Sequence, residues 1–477
     1  MLRKQSLATL LSCSLLMFGV MATGLTPAPA SAATVSNFFN VINQDGADPW
    51  VYKHTDGNYY MTKTTGNNVT LWRSKTLTGL DAGVSKVVFT PPATGPNSKN
   101  IWAPELHWIN NAWYLYYAAD DGNNDNHRMF VMRNTSADPL AGTWTDLGKI
   151  YDASNDRWAI DGTVLNVNGQ LYFIWSGWPG TTNTTQNLYI APMDSPSHIS
   201  GSRVQISAPT YAWEKVGTPT VNEGPQVIVR NGVISVVYSA SGSWTDSYCL
   251  GLLTASTTSN LLNPTSWTKR STPVFQSGNG IYGPGHASFT KSPNGLEDWI
   301  VYHAARYQGA GWTRNIRTQR FTWNADNTPN FGVPAAPNSP IAIPAGEPAR
   351  DRYEAENQLL AGGASVVSTP TASGGKKAGY IDNNTRYVEF TVNAPTAGTY
   401  VLYARTDNGT AGDPWAYHTL SVNGGAGSNF YVANSGWDNW GTSTARVSLN
   451  AGTNKIRFTG NTNFAEIDAI DLFPYQP

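Results

Sequence analysis

Cysteine and charge are both scarce in this sequence of 477 residues, and each scarcity excludes a class of protein. The two cysteines are Cys13 and Cys249. Cys13 lies in an N-terminal segment that we expect to be removed, so no intramolecular disulfide can form in the mature chain. Charged residues make up 13% of the chain and the formal net charge is −1, which leaves no basic face for a nucleic acid. We therefore expect an uncharged partner.

Long apolar runs are confined to the N-terminus. Residues 1–32 begin with MLRK, continue through LATLLSCSLLMFGVMATGL and end in APASA, the small-residue pattern of a signal-peptidase site. This pattern predicts a secretory signal peptide and a secreted, extracellular protein. The rest of the sequence holds no apolar stretch long enough to span a bilayer, so we expect no membrane association.

Aromatic residues are abundant, with 18 Trp, 23 Tyr and 15 Phe. Sugars offer apolar ring faces together with many hydroxyl groups, so flat aromatic side chains among polar ones match a carbohydrate partner. Aromatic residues also fill ordinary β cores, and composition alone leaves both interpretations open.

Five segments share one pattern, in which an acidic residue or a histidine precedes a short strand, a tight turn and an aromatic-rich second strand. Successive starting residues are 57, 56, 62 and 63 positions apart. The five starts are Asp48, Glu105, Asp161, Glu223 and His286. Repetition of a β-meander at this period predicts an all-β chain with a five-bladed β-propeller over residues 36–348.

In a propeller the first strand of each blade lines the central channel, so these five side chains should converge on one funnel. Four of the five are carboxylic acids. Carboxylates buried together lose hydration and raise one another's pKa values, an arrangement typical of catalytic sites. The structural alternative is that these acids cap strand ends or pair with arginines.

A second domain follows a proline-rich segment. Prolines stand at 334, 337, 340, 344 and 348, where neither a helix nor an interior strand can continue. Beyond them, segments such as RYVEFTV, GTYVLYART and NKIRFTG alternate with period two. Residues 350–477 are therefore predicted to form a β-sandwich of the jelly-roll type.

The motifs of the repeats resemble a known family when they are taken together and in order. They are ADP before Trp50, WAPE ending at Glu105, IDG around Asp161, NEGP around Glu223 and GPGH ending at His286. In wording and spacing they resemble glycoside hydrolase family 43, which contains five-bladed α-L-arabinofuranosidases, β-xylosidases and arabinanases.

The resemblance implies roles for three carboxylates. Asp48 is expected to be the general base, Glu223 the general acid, and Asp161 the residue that orients Glu223 and raises its pKa. The family inverts the anomeric centre, which requires a water between base and acid and hence a separation of about 6.5–9.5 Å. The longer arm of glutamate suits the donor that must reach a leaving oxygen.

The resemblance also implies substrate contacts. Trp102 is a candidate wall of the sugar pocket, although core packing is the alternative for a lone tryptophan. Glu105 is expected near the pocket, and His286 at the channel centre beside a metal ion or an ordered water. Arg317 matches the family arginine that contacts substrate, with Arg314 and Arg320 as neighbouring alternatives.

The C-terminal domain resembles carbohydrate-binding modules of families 6 and 35 through YEAE, GYID, GWDNW and IDAIDLF. This resemblance implies a structural calcium ion held by Glu354, Glu356 and Asp471, with Asp468 as the alternative third ligand, and oxygen-only ligands suit calcium. Trp437 is the expected stacking platform for a sugar. The sequence FAE at 464–466 departs from the asparagine usual in relatives, which leaves the ligand of the module open.

The sequence thus predicts a secreted, monomeric, inverting glycoside hydrolase that acts on plant cell-wall polysaccharide. The favoured activity is exo-acting α-L-arabinofuranosidase on arabinan or arabinoxylan. β-Xylosidase and endo-arabinanase remain alternatives within the family, and a non-catalytic cell-wall-binding protein is the alternative of another class. Fructan hydrolysis is disfavoured because the RDP and EC motifs of that group are absent.

Overall fold

The computed structural model of the chain describes residues 32–412 and 414–476, which form two all-β domains. The predicted fold class is confirmed. The expected signal peptide falls on residues 1–32, of which only Ala32 belongs to the described part. Within this part no helix has the length and apolar character needed to cross a membrane. The helical segments described are four 3-10 turns at Asn124–Asn126, Ala212–Glu214, Pro264–Ser266 and Ala355–Asn357.

Antiparallel sheets follow one another along the chain and form the five blades. Two short strands precede them, β1 (Ala33–Val35) and β2 (Asn37–Phe38). The first blade contains β3 (Trp50–Lys53), β4 (Tyr59–Thr62), β5 (Val69–Ser74) and β6 (Val84–Phe89). The second contains β7 (Lys99–Ile109), β8 (Ala112–Asp120), β9 (Arg128–Asn134) and β10 (Thr145–Ile150).

The third blade contains β11 (Ala159–Val167), β12 (Gln170–Gly177), β13 (Thr185–Ser195), β14 (His198–Ile199) and β15 (Val204–Ser207). The fourth contains β16 (Thr220–Arg230), β17 (Val233–Ala240), β18 (Cys249–Ser256) and β19 (Thr268–Lys269). The fifth contains β20 (Tyr282–Lys291), β21 (Asp298–Ala305), β22 (Arg314–Trp323) and β23 (Pro329–Asn330). A short parallel pairing of β13 with β16 joins the third and fourth blades.

The N-terminal segment closes the propeller ring. Strand β2 pairs with β24 (Ile341–Ala342), which the proline-rich segment supplies. The backbone N–H of Ile42 donates to the carbonyl of Ile316 on β22 at 2.9 Å. The chain ends of the propeller are thereby tied to each other, so the first blade packs against the fifth.

The apolar cores of the propeller lie between neighbouring blades. Tyr60 and Leu71 of the first blade, for example, pack with Leu106 and Trp113 of the second. Equivalent clusters fill the other four junctions around the ring. Because each such side chain contributes about 1.5–3 kcal/mol on burial, the blades hold one another in place and leave the axis to polar residues.

Two packed sheets form the C-terminal domain. Its strands are β25 (Arg350–Glu354), β26 (Leu359–Ala361), β27 (Ser365–Ser368), β28 (Lys376–Gly379), β29 (Tyr387–Ala394), β30 (Gly398–Asn408), β31 (Ala416–Val422), β32 (Ser428–Val432), β33 (Gly436–Leu449), β34 (Gly452–Thr462) and β35 (Glu466–Pro474). One sheet has the order β26-β29-β34-β31-β32, and the other contains β25, β27, β28, β30, β33 and β35. The second sheet also takes in β1, which precedes the propeller in the chain but pairs with β25.

The two domains share a packed interface. The guanidinium of Arg350 is buried over the rings of Phe38, Tyr403 and Phe473. The side chain of Gln44 bonds the backbone of β32, donating to the carbonyl of Tyr431 at 3.0 Å. These contacts fix the sandwich against the side of the first and fifth blades.

Candidate active site

Irregular backbone aims the blade-start side chains into the channel. Four of the five innermost strands contain a shift in their pairing register near the blade start. The shifts lie between Trp102 and Glu105, between Ile160 and Thr163, between Glu223 and Gln226, and between Gly285 and Ser288. Positive φ angles occur at the same places, at Asp48 (55°), Ala103 (41°), Asp161 (57°), Gly224 (53°) and His286 (44°). A bulge redirects side chains, and left-handed backbone at non-glycine residues costs about 1–3 kcal/mol each and clusters at functional sites.

Four of the five blade-start residues, all except Glu105, line a cavity of about 440 Å³ at one end of the channel. Carboxylates lie at its base and tryptophans form much of its wall. The lining residues are Asp48, Thr64, Trp102, Asn124, Trp158, Ile160, Asp161, Asn183, Gln186, Pro219, Glu223, Ser243, Trp244, His286, Trp312 and Arg314. The mixture of flat apolar faces and hydrogen-bonding groups suits a sugar.

Basic groups hold Asp48 in its ionised form. Its Oδ1 lies 3.3 Å from Nδ1 of His286, 3.3 Å from Nδ1 of His303 and 3.6 Å from a guanidinium nitrogen of Arg314. The hydroxyl of Thr64 donates to Oδ2 at 2.5 Å. Burial alone would raise the pKa of Asp48, but His286, Arg314 and His303 outweigh it and hold the pKa well below its ordinary value.

Glu223 is shifted toward its protonated form. Burial raises its pKa to about 7, and the negative charge of Asp48 acts in the same direction. The hydroxyl of Tyr248 donates to Oε1 of Glu223 at 2.8 Å and opposes this shift, because it stabilises the carboxylate. The pocket therefore contains one carboxylate that can accept a proton and one carboxylic acid that can donate a proton.

Asp161 links the other two acids. Its Oδ2 accepts a hydrogen bond from the backbone N–H of Gly224 at 3.0 Å, which anchors the residue next to Glu223. The same oxygen lies 4.0 Å from Nδ1 of His286. Burial and the charges of Glu223 and Asp48 raise the pKa of Asp161 well above its ordinary value. The sequence-predicted trio thus lines one pocket.

Trp102 lines the pocket and is supported from behind. Its ring stacks on His127 with 4.0 Å between centroids, and Nδ1 of His127 lies 3.0 Å from Oδ2 of Asp120. Glu105 does not line the cavity. It is buried behind the wall, 2.8 Å from Nε2 of His107 and in a hydrogen bond from Gln226. The structure therefore places Glu105 among the supporting residues and not against a substrate.

The structure corrects the assignment of the arginine. Arg314 lines the cavity beside Asp48, whereas Arg317 is 3% exposed and lies outside the lining. Arg317 sits opposite Tyr302 in the pairing of β21 with β22 and contacts its hydroxyl. Side chains alternate between the two faces of a strand, so residues three apart point in opposite directions.

Several lining and supporting residues were missed in the sequence. His303 lies on the second strand of the fifth blade, and Tyr248 precedes β18 of the fourth. Their rings stack on each other with centroids 5.5 Å apart. The sequence did offer a signal for His303, which stands in the apolar run DWIVYHAA. An ionisable group in an apolar strand usually has a buried polar partner. Nothing in the local sequence distinguishes Tyr248 from the many core tyrosines.

The expected calcium ligands separate into two environments. Asp471 forms a bidentate ion pair with Arg352, at 2.7 and 2.8 Å, which occupies both of its carboxylate oxygens. Glu354 and Asp468 instead meet at Ser373, and each accepts a hydrogen bond from it. Burial is the largest cause of the raised pKa values of Glu354, Glu356 and Asp468. The charge of Asp468 adds to the pKa shift of Glu354 and Glu356, whereas Arg405 opposes that of Asp468.

No three His, Cys, Asp or Glu side chains of residues 32–412 and 414–476 are arranged as a metal site. One oxygen of Glu356 is nevertheless buried without a hydrogen-bond partner. Asp468 is also ion-paired with Arg405. The unpartnered oxygen of Glu356, next to the carboxylates of Glu354 and Asp468, fits a cation that would take the place of Ser373.

Trp437 is exposed at the surface of the sandwich, with 46% of its area accessible. Its ring covers Gly409, where even a Cβ atom would collide with it. Lys377 lies beneath the ring and pairs with Asp407, Asp438 and Glu466. Glu466, the last residue of the FAE segment that departs from the family pattern, is thus part of an ion-pair cluster next to Trp437.

Comparison with known families matches both domains. Glycosyl hydrolases family 43 matches residues 39–329, and carbohydrate binding module family 6 matches residues 354–473. An extracellular exo-α-(1→5)-L-arabinofuranosidase of Streptomyces avermitilis is 41% identical over 341 residues, which are 69% of each chain. α-L-Arabinofuranosidase 43 of Humicola insolens is 39% identical over 325 residues, 66% of this chain and 67% of that protein.

Solved structures agree with these matches. The α-L-arabinofuranosidase of Lactobacillus brevis is 37% identical, with a TM-score of 0.60, and the alignment covers 63% of this chain and 98% of that one. An exo-β-1,3-galactanase of Phanerochaete chrysosporium covers 90% of this chain at a TM-score of 0.54, but at 17% identity it shares the fold alone. The chain belongs to glycosyl hydrolases family 43 and includes a family 6 carbohydrate-binding module at residues 354–473.

Proposed function

We propose that this glycoside hydrolase is an extracellular, exo-acting α-L-arabinofuranosidase that inverts the anomeric centre. The observation that carries the proposal is the meeting of two acids in one cavity whose environments shift their pKa values in opposite directions, that of Asp48 well below its ordinary value and that of Glu223 up to about 7. The sugar is inferred from the relatives named as arabinofuranosidases.

In the proposed reaction a water molecule stands between Asp48 and the anomeric carbon. Asp48 accepts one proton from this water while the water oxygen forms a bond to the anomeric carbon on the face opposite the leaving group. The bond from this carbon to the glycosidic oxygen breaks, and Glu223 transfers its proton to that oxygen. The products are free arabinose and a shortened chain, and proton exchange with solvent restores both acids.

The other polar residues keep this pair in place. Asp161 accepts a hydrogen bond from the backbone N–H of Gly224 and so holds the backbone next to Glu223. It also lies beside His286, which contacts the base Asp48. Arg314 keeps Asp48 ionised. It can also donate hydrogen bonds to a sugar hydroxyl in the same cavity, since a guanidinium has five N–H donors.

The shape of the site supports action at chain ends. The acids line a half-open cavity whose wall carries Trp102, Trp158 and Trp244, with exposed Trp312 among the lining residues. A terminal or branching arabinose can enter such a cavity. Arabinan or the side chains of arabinoxylan are the proposed polymers, and the protein is proposed to act as a monomer.

Calcium is proposed as a structural ion of the sandwich. Glu354, Glu356 and Asp468 would hold it, and the ion would neutralise the charges of Glu354 and Glu356, while Arg405 pairs with Asp468. It has no step in hydrolysis.

Hydrolysis of 4-nitrophenyl α-L-arabinofuranoside and 4-nitrophenyl β-D-xyloside by the wild type and by Glu223→Gln tests the proposal. The wild type should release nitrophenol from the arabinoside. On arabinobiose, whose sugar leaving group needs a proton, Glu223→Gln should lose about 100-fold or more in kcat, since general acid catalysis contributes about 10²–10⁴. Preference for the xyloside would contradict the assigned sugar. Full activity of Glu223→Gln on arabinobiose would contradict the assigned acid.

A further inference from the structure

A second cleft lies between the propeller and the sandwich. Its volume is about 520 Å³, and both domains contribute to its walls. We call it the interdomain cleft. It is lined by Asn43, Gln44, Asp45, Lys63, Asp81, Trp415, Tyr417 and Tyr431.

One wall of the interdomain cleft is aromatic. Tyr417 on β31 and Tyr431 on β32 are cross-strand neighbours whose rings meet edge to face, 4.8 Å apart at 72°. Trp415 meets Tyr431 in the same manner at 6.3 Å. The alternating residues Ala416 and Phe430 face the core, so the three rings are not required to fill it. Tyr431 remains 47% exposed beside an interface that buries many other side chains.

The opposite wall is polar and held in place by its own contacts. Lys63 donates to Oδ1 of Asn43 at 3.0 Å and to the carbonyl of Asp45. Asp81 accepts from Asn43 and, at 2.7 Å, from Thr444 of the sandwich.

The charges on this wall cancel. Arg306 pairs with Asp45, so the cationic Lys63 and Arg306 face the two carboxylates Asp45 and Asp81. A wall without net charge offers hydrogen bonds but no attraction for an ionic ligand. Together with the rings of Tyr417 and Tyr431, this chemistry matches an uncharged carbohydrate.

The two walls are fixed relative to each other. Gln44 donates to the carbonyl of Tyr431 at 3.0 Å and accepts from the backbone N–H of Ala433 at 3.0 Å. Its Oε1 also accepts from the hydroxyl of Ser443 at 2.9 Å. One propeller side chain therefore anchors two strands of the sandwich, and the cleft is formed before any ligand binds.

The interdomain cleft adjoins the catalytic cavity. Lys63 lines the cleft and the next residue, Thr64, lines the cavity. Arg306 lies over the ring of Trp415 at 5.3 Å and donates to the carbonyl of Arg314, whose side chain lines the cavity. The same stretch of propeller backbone thus separates the two sites.

We infer that the interdomain cleft is a second binding site for an uncharged pentose polysaccharide, and that it holds a linear arabinan segment near the catalytic cavity. This inference rests on the proposed function for the identity of the sugar. Rings of Tyr417 and Tyr431 pack against the sugar faces, and the polar wall bonds the hydroxyls. The site belongs to both domains, so neither domain alone forms it.

The test compares Tyr431→Ala, Tyr431→Phe and the wild type as full-length proteins. Tyr151→Ala, which removes an exposed tyrosine of the propeller outside both sites, is the matched control. KM is measured on linear arabinan and on 4-nitrophenyl α-L-arabinofuranoside, which is too short to reach the cleft. We expect Tyr431→Ala to raise the ratio of the two KM values about 3- to 10-fold, which corresponds to one lost aromatic contact. Tyr431→Phe and Tyr151→Ala should keep the wild-type ratio.

An unchanged ratio in Tyr431→Ala would overturn the inference. Titration of arabinohexaose and xylohexaose into Glu223→Gln and into Glu223→Gln/Tyr431→Ala supplies a readout without hydrolysis. Weaker arabinohexaose binding in the double variant supports the cleft, and an effect on xylohexaose alone contradicts the assigned chain. Failure of the proposed function would appear separately, as absence of wild-type activity on the aryl arabinoside.

Discussion

The hydroxyl of Tyr248 lies 2.8 Å from Oε1 of Glu223, so a phenol donates a hydrogen bond to the proposed catalytic acid. Burial and Asp48 disfavour the charged form of Glu223, whereas this bond favours it. The pKa of about 7 is the balance of these opposed effects. Tyr248 therefore determines how far toward alkaline pH the acid keeps its proton.

Replacement of Tyr248 by phenylalanine should raise the pKa of Glu223. The acid acts only when protonated, so activity is lost as pH rises through its pKa, and the alkaline limb of kcat/KM should move upward by about one pH unit. A hydrogen bond to a charged group is worth about 1.5–3 kcal/mol, and one pKa unit corresponds to 1.36 kcal/mol. The pH profile of kcat/KM on arabinobiose, whose leaving group needs protonation, measures the shift. Tyr60→Phe, which removes a phenol that bonds the distant Asp56, is the control, and an unmoved limb in Tyr248→Phe would contradict the role.

Arg314→Ala should affect the opposite limb. Arg314 helps to hold the pKa of Asp48 below its ordinary value, and the base acts only when deprotonated. Removal of the guanidinium raises this pKa, so the acid limb of kcat/KM should move to higher pH. Loss of a charged hydrogen-bond donor should also lower kcat/KM at neutral pH about 10- to 100-fold. A fall in rate without any movement of the acid limb would show that Arg314 contacts substrate but does not act on Asp48.

Arg317→Met gives the contrasting result. Arg317 is buried, and its Nε and one terminal nitrogen have no hydrogen-bond partner. An apolar side chain of similar volume often replaces a poorly compensated buried charge without loss of stability. We expect kcat/KM to stay within about twofold of the wild type and Tm to be unchanged or higher, as measured by thermal unfolding and by aryl arabinoside hydrolysis. A large loss of activity with an intact Tm would restore the original assignment of Arg317 to the substrate site.

These two arginines illustrate what a single sequence can and cannot predict. The repeat of acidic blade starts identified the propeller and brought Asp48, Asp161 and Glu223 into one pocket, because a period of strands and turns determines which ends of the blades meet. The choice between Arg314 and Arg317 depends on which face of β22 points inward, and a register of one residue reverses that face. His303 and Tyr248 reach the pocket from second strands and loops, where the repeat pattern has no marker.

The choice between Asp468 and Asp471 has the same origin. They are three residues apart on β35. Asp468 meets Ser373 and Arg405, and Asp471 pairs with Arg352. At a calcium concentration about 100 times its Kd, binding should raise the free energy of unfolding of the sandwich by about 2.7 kcal/mol. Asp468→Asn should abolish the increase in Tm on addition of calcium.

The pH dependence of this calcium effect follows from Glu354. Burial raises its pKa to about 7, and calcium binding requires the deprotonated carboxylate. The stabilisation should therefore weaken as pH falls below about 7 and increase above it. Differential scanning fluorimetry with calcium or chelator at several pH values measures this. An identical Tm with calcium and with chelator at pH 8 would contradict the proposed ion.

The most direct test of the account is a time-resolved proton NMR spectrum of the mature enzyme acting on linear arabinan and arabinoxylan in the first minutes of reaction. The account predicts that free arabinose appears first as the β-anomer, because water attacks opposite the leaving group with Asp48 as base and Glu223 as acid. Initial release of the α-anomer would contradict the single displacement. Xylose in place of arabinose would contradict the proposed specificity.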